Sequence, residues 1–182
     1  AYDLSLRATL PFTHARVLSL GRDYALASDV GKVLLIAEAS LYEQLTEEIQ
    51  RYAFDIHTAY GCETILETVS GGSHRDIKNL ILSYSFSLDG AVFIGDIPHA
   101  TFEIADDHNK YGYRSWPCDL YYTDLNGEWG DTDGNGKYDK HSGHILPEIF
   151  VGRIATGNMG RLTAETEGMK RYLDCLLYTS DA

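Results

Sequence analysis

The chain has 182 residues, 44% of them hydrophobic, and a formal net charge of -12. That length points to one domain or part of one. The acidic balance argues against a nucleic-acid partner, which needs clustered Lys and Arg, and no run of about eighteen apolar residues is present to span a membrane. Cys62, Cys118 and Cys175 lack metal-type spacing and read as buried free thiols.

Taken in order, residues 1–31 form a lead-in segment, with no initial Met and no basic-then-apolar leader pattern. Short strands are expected at Leu4–Leu10 and Arg16–Leu20, and a turn at Asp29-Val30-Gly31. Lys32–Ala37 (KVLLIA) is a continuous apolar run, the pattern of a parallel strand covered on both faces. Ser40 and Glu43 have capping-box spacing, and Leu41, Leu45, Ile49 and Tyr52 follow at helical intervals, up to a stop at Tyr60-Gly61. Thr64–Val69 (TILETV) is a second strand, rich in β-branched residues. After Gly71-Gly72, Ser73 with Asp76 is expected to cap a helix carrying Ile77, Leu80, Ile81 and Tyr84. Asp89-Gly90 turns the chain into a third strand, Ala91–Gly95. This βαβαβ order implies right-handed crossovers in a parallel sheet of about four strands with flanking helices, an α/β fold. Ligands gather beyond the carboxyl ends of such strands, which here carry Glu38, Gly71-Gly72 and Asp96.

The long loop Ile97–Pro117 leads to a central stretch, Cys118–Ile154. Two strands are expected to flank its polar middle, Asp119–Leu125 and Glu148–Ile154, and a helix at Met159–Asp174 comes next, with Leu162, Met169, Tyr172 and Leu173 on its apolar side. The middle contains DTDGNGKYD. A hard cation such as calcium takes six to eight oxygen ligands. Asp131, Asp133 and Asn135 stand at the first, third and fifth positions of a calcium loop. Gly136 sits at the sharp turn, Lys137 offers its carbonyl at the seventh position, and Asp139 is ninth. Ser142 stands where a calcium loop carries a bidentate Glu, so Glu128, Glu148 or water would complete the shell and the affinity would be weak, of the extracellular type. The competing account is a polar hairpin loop without metal.

Two further pairs have the residue types for catalysis. Asp96 with His99 has the chemistry of acid/base work, against plain loop roles for both. Cys118 with His99 has that of a thiol nucleophile and its base, but as the lead into a parallel strand Cys118 would lie at the opposite edge of the sheet from His99. His14, His57, His74, His108, His141 and His144 show no ligand spacing, although His141 and His144 are near the acidic loop in sequence.

Gly95-Asp96 followed by Pro98, then Asp119, Tyr121 and Tyr122 in a D-x-Y-Y pattern, then Pro147, Glu148, Val151, Gly152, Arg153 and Ile154 in P-E-x-x-V-G-R-I, resemble in order and spacing the first half of a gingipain-type cysteine peptidase. The resemblance covers roughly residues 30 to 174. It implies a caspase-like α/β fold and division into a lead-in (1–31), an N-terminal subdomain (32–174) and a non-native tail (175–182), since CLLYTSDA is similar to translated sequencing-adapter sequence. It also implies secretion or cell-surface display and a structural calcium ion. The catalytic His and Cys of that family belong to the second half of its catalytic domain, so no residue here is assigned a catalytic role. The implied partners are that missing catalytic subdomain and, for the whole enzyme, a protein or peptide substrate. The alternatives are a calcium-stabilised, non-catalytic binding or adhesion module, and a flavodoxin-like small-molecule domain, the latter without a P-loop or G-x-G-x-x-G.

Overall fold

A computed structural model describes residues 11–21, 31–85, 87–107, 110–155 and 162–180, with backbone alone at 162–165 and 177–180. The expected strand at Leu4–Leu10, most of the Asp29–Gly31 turn, His108, the start of the last helix and the Leu162 side chain lie outside these.

The architecture is mixed α/β. Five described strands form one sheet, in the order β1 (Thr13–Leu20), β3 (Glu63–Ser70), β2 (Lys32–Glu38), β4 (Gly90–Ile94), β9 (Phe150–Ile154). The last four are parallel, and β1 is an antiparallel edge. β2 and β4 read as unbroken apolar runs because both of their faces are covered. Leu34, Ile36, Ala91 and Phe93 enter one core, and Val33, Leu35, Ala37, Val92 and Ile94 the other. Each fully buried aliphatic side chain contributes about 1.5–3 kcal/mol.

Helix α1 (Ala39–Gln44) and α2 (Thr46–Tyr60) cover the second core, whereas α3 (His74–Ser83) covers the first. The chain steps from β2 to β3 in one direction and from β3 past β2 to β4 in the other. Crossovers of one hand must then use opposite faces. Gly61 ends α2 in the left-handed conformation, φ 62°. Before α3, Ser73 N and Oγ each donate to Asp76 Oδ2 at 2.7 Å, so the expected box forms. The Ser40–Glu43 box does not form. Glu38 occupies the N-cap position and accepts from Ser40 Oγ at 3.0 Å. The helix also breaks at Leu45, where φ is -128° and Thr46 Oγ1 donates back to Tyr42 O. Leu41, Leu45 and Ile49 are buried on either side of the break.

Asp119–Leu125 is not a strand. Leu120–Thr123 is a single helical turn, α4, in which Tyr122 N bonds Asp119 O and Asp124 N bonds Leu120 O. The buried Lys78 of α3 fixes it by donating to the carbonyls of Tyr121 and Asp124. Two small hairpin sheets lie beyond the main core: β5 (Thr101–Ile104) with β6 (Arg114–Pro117), and β7 (Glu128–Gly130) with β8 (Lys140–Ser142). Helix α5 (Leu162–Ser180) buries Met169 and Leu173 against the second core and leaves Tyr172 half exposed, contrary to its expected apolar role. Among the described residues no helix is long and apolar enough to cross a membrane.

Candidate functional site

Two regions carry the side chains singled out by the sequence. The first is the cleft at the carboxyl ends of β2, β3 and β4, about 150 Å³, lined by Glu38, Ser40, Ser70, Gly71-Gly72, Asp96 and Pro98. Glu38 Oε2 accepts from Asp96 N at 3.2 Å. Gly72 has φ +78°, and a Cβ there would sit 2.6 Å from the Phe12 ring, so the chain closes this end of the cleft against the residue that leads into β1. The strand ends meet as expected of a parallel sheet.

The residues beside this cleft are held by ties between distant segments. Tyr122, fully buried, donates its hydroxyl to Pro98 O at 2.6 Å. Arg153 on β9 grips Asp119 with two hydrogen bonds and reaches Ile97 O with a third, while its guanidinium lies 4.9 Å from the Phe93 ring centre. Glu148 Oε2 accepts from Leu125 N at 2.6 Å, and Oε1 from Asn126 Nδ2 at 2.7 Å. Asp124, also fully buried, accepts from Asn126 N, Gly127 N and His141 Nε2. Its carboxyl is held below the ordinary range, because the bonds from His141 and from these amides outweigh the burial that pushes it up.

Cys118 is not at the far edge of the sheet. Its amide donates to Ala100 O at 2.8 Å, which places it beside the segment that leaves β4, because the chain continues from Cys118 into α4 and not into a strand. Burial pushes its thiol up, the wrong direction for a thiolate nucleophile. Asp96 lines the cleft.

The second region is the loop 131–139, carried at the end of the β7–β8 hairpin. Gly134 and Gly136 have φ 73° and 87°, so the chain turns sharply where the spacing requires it. Asp131 Oδ1 accepts from Gly134 N and Asn135 N, and Oδ2 from Gly136 N at 2.9 Å. These amides hold its carboxyl below the ordinary range. Asp133 accepts from Asn135, whose Oδ1 accepts from Lys137 N at 2.9 Å. Asp139 turns to Thr132 N and Oγ1. The donor set is oxygen only, which suits a hard cation and not a soft one. Among the described residues, no group of three or more His, Cys, Asp or Glu side chains is arranged to hold a metal ion. The carboxylates here bond the loop's own amides and hydroxyls.

The expected supplementary ligands lie elsewhere. Glu148 is engaged with residues 125 and 126 and with His144, and Glu128 accepts from Ser142 Oγ at 3.4 Å. His141 bonds Asp124 and stacks on Trp129 at 4.0 Å, away from the loop carboxylates. The carboxylate that does face the loop is Glu103 on β5, 5% exposed, accepting from Asn135 Nδ2 at 2.7 Å. In the sequence Glu103 falls within Ile97–Pro117, which reads as a loop, and the structure instead places it on β5.

Tyr138 joins the loop to the core. Its amide donates to Thr101 O, its carbonyl accepts from Glu103 N, and its ring stacks on Tyr121 at 5.0 Å.

No family model, curated protein or solved structure matches the chain.

Proposed function

We propose that the chain is the N-terminal, non-catalytic part of a gingipain-like cysteine endopeptidase with a caspase-like fold, secreted or displayed at the cell surface. One observation carries this reading. The residues of its three spaced motifs tie one another together: Tyr122 to Pro98, Arg153 to Asp119 and to Ile97. Their meeting at one junction by the carboxyl end of β4 is what supports the reading.

In the whole enzyme, a Cys thiolate from the missing half would attack the peptide carbonyl, the C–N bond would break as a His gives its proton to the departing amine, and water would then hydrolyse the thioester. This chain's share is to build the rim of the strand-end cleft and to hold the β4 and β9 ends at fixed spacing. Along β9, which has a strand on one side only among the described residues, Val92, Tyr52, Phe150, Ile154 and Tyr172 line an open groove of about 680 Å³. A second subdomain packed there would cover it.

The test has two arms. The chain alone, treated with peptidyl chloromethyl ketones, is expected to cleave no peptide and to show no selective labelling of Cys118. Cleavage together with selective labelling at Cys118 would overturn the assignment. Sequencing the source DNA past the codon for Asp174 should reveal a further α/β half containing a His and a Cys, each following a strand. A frame that closes there instead favours a calcium-stabilised, non-catalytic module.

The loop 131–139 is the proposed structural calcium site under either reading, with Asp131, Asp133, Asn135, Asp139 and the Lys137 carbonyl as its ligands. Millimolar calcium should raise the melting temperature relative to chelator. An unchanged melting temperature sinks the calcium assignment.

A further inference from the structure

The geometry points to Glu103 as a positioning residue for that calcium loop, an inference that rests on the proposed calcium assignment. Glu103 belongs to a different strand from the loop and is no part of its nine-residue spacing. Its side chain is almost fully enclosed, and three donors meet it: Asn135 Nδ2 at 2.7 Å, Tyr113 Oη at 2.6 Å and Lys137 Nζ at 3.2 Å. Two of these donors belong to the fifth and seventh loop positions. Glu103 therefore fixes the residues that must offer a side-chain oxygen and a carbonyl to the ion.

The arrangement has a specific consequence for Asn135. With its amide nitrogen held by Glu103 Oε1 and Asp133 Oδ2, Asn135 turns its Oδ1 to the loop backbone, where it accepts from Lys137 N. The second lone pair of that oxygen is the one a cation would take. The Lys137 ammonium is drawn to the Glu103 and Tyr113 side, so the loop's own positive charge is held off the acidic residues. Meanwhile the Glu103 backbone amide binds Tyr138 O, so the same residue secures the loop through main chain and side chain. Such outer partners of a metal site set affinity by orienting the ligands.

The test is calcium titration by calorimetry on the whole chain, comparing wild type with Glu103→Gln and with Glu67→Gln, a buried carboxylate on β3 that bonds His14 and Arg16 far from the loop. Glu103→Gln is expected to weaken calcium binding about tenfold or more, with Glu67→Gln unchanged. Hydrogen exchange at the amides of 133–137, followed in calcium-free protein, should quicken in Glu103→Gln alone. Equal affinity in wild type and Glu103→Gln overturns the inference and leaves the calcium site standing. Equal weakening in both variants overturns it too, because general loosening would then be the cause. A wild-type chain that binds no calcium overturns the site and this inference together. Should Glu103→Gln fail to fold, Tyr113→Phe at the exposed end of the same contact is expected to show a smaller weakening, and no weakening there overturns the inference.

Discussion

Arg153 and Asp119 face each other as a two-pronged pair, Nε to Oδ2 at 3.0 Å and Nη2 to Oδ1 at 2.8 Å, across 34 positions of sequence. The geometry is the planar fork that only arginine supplies. Because the third prong holds Ile97 O at 2.5 Å, the pair welds β9 to the segment leaving β4 and to the start of α4. Both side chains keep partial solvent access, which tempers their worth. Arg153→Met and Asp119→Asn are each expected to lower stability by about 1–3 kcal/mol in urea unfolding. The double variant should lose less than the sum. Strict additivity would show that the pair does not act as a unit.

A sharper local effect is expected at Gly127. A Cβ at that position would lie 1.9 Å from Asp124 Oδ2, on the carboxylate that Gly127 N itself binds. Gly127→Ala must push a fully buried carboxylate away from its donors, at a cost of about 2–3 kcal/mol. Gly112, where a Cβ would meet nothing within 4 Å, has positive φ and so tests backbone strain alone. Thermal denaturation of the two alanine variants should rank Gly127→Ala as the more damaging, and the reverse order would contradict the close contact.

Lys78 supplies a pH signature. Burial brings its ammonium down to about 8, against the opposing pull of Asp124 and Glu148. Between that value and the ordinary lysine range, the folded chain holds fewer protons than the unfolded one, so stability rises with pH there. Below about 8 the charged amine must be kept in the core, and the penalty is fully present. Relative to Lys78→Met, the wild type should therefore gain stability between about pH 8 and 10, by an amount of order 1–3 kcal/mol. A wild-type minus variant difference that stays flat across this range would refute the burial argument.

The capping box at α3 gives a dependence of the same sign, in the acid range. Bonds from Ser73 Oγ and N hold the Asp76 carboxyl below its usual value. Its contribution is fully present above the unfolded carboxylate value and disappears as pH falls through the lower folded one. Asp76→Asn should cost about 1 kcal/mol near neutral pH and little in strong acid, below the folded value. Equal losses under both conditions would rule out a charged cap.

Continuous apolar runs made β2 and β4 readable, since a strand buried on both faces needs no alternation, and Gly61 and Ser73 marked helix ends by their own backbone chemistry. The run from Asp119 misled. Leu120, Tyr121, Tyr122 and Thr123 include strand-prone residues, but Lys78, more than forty positions upstream, claims the carbonyls of Tyr121 and Asp124 and stabilises a helical turn. Local propensity has no knowledge of such a partner. The Ser40–Glu43 spacing failed because the helix begins earlier, with Glu38 at the end of β2 as its N-cap, so Ser40 lies inside the first turn. In the acidic loop, spacing alone marked Asp131 to Asp139, whereas Glu103 stayed hidden because it lies in the stretch read as a loop, where a single Glu resembles any solvent-facing charge until the fold closes over it.

The pairing of β9 with β4 spans the entire insertion that carries β5 to β8. Contacts of such long range form slowly, while the segment from β2 to β4 is closed by shorter loops. On a ribosome, that earlier segment emerges and can collapse before Phe150 has been added to the chain. The last strand then docks onto a surface already made, with Arg153 clamping it in register. The sheet would therefore be completed at β9, and an interrupted synthesis would leave the flank of β4 bare.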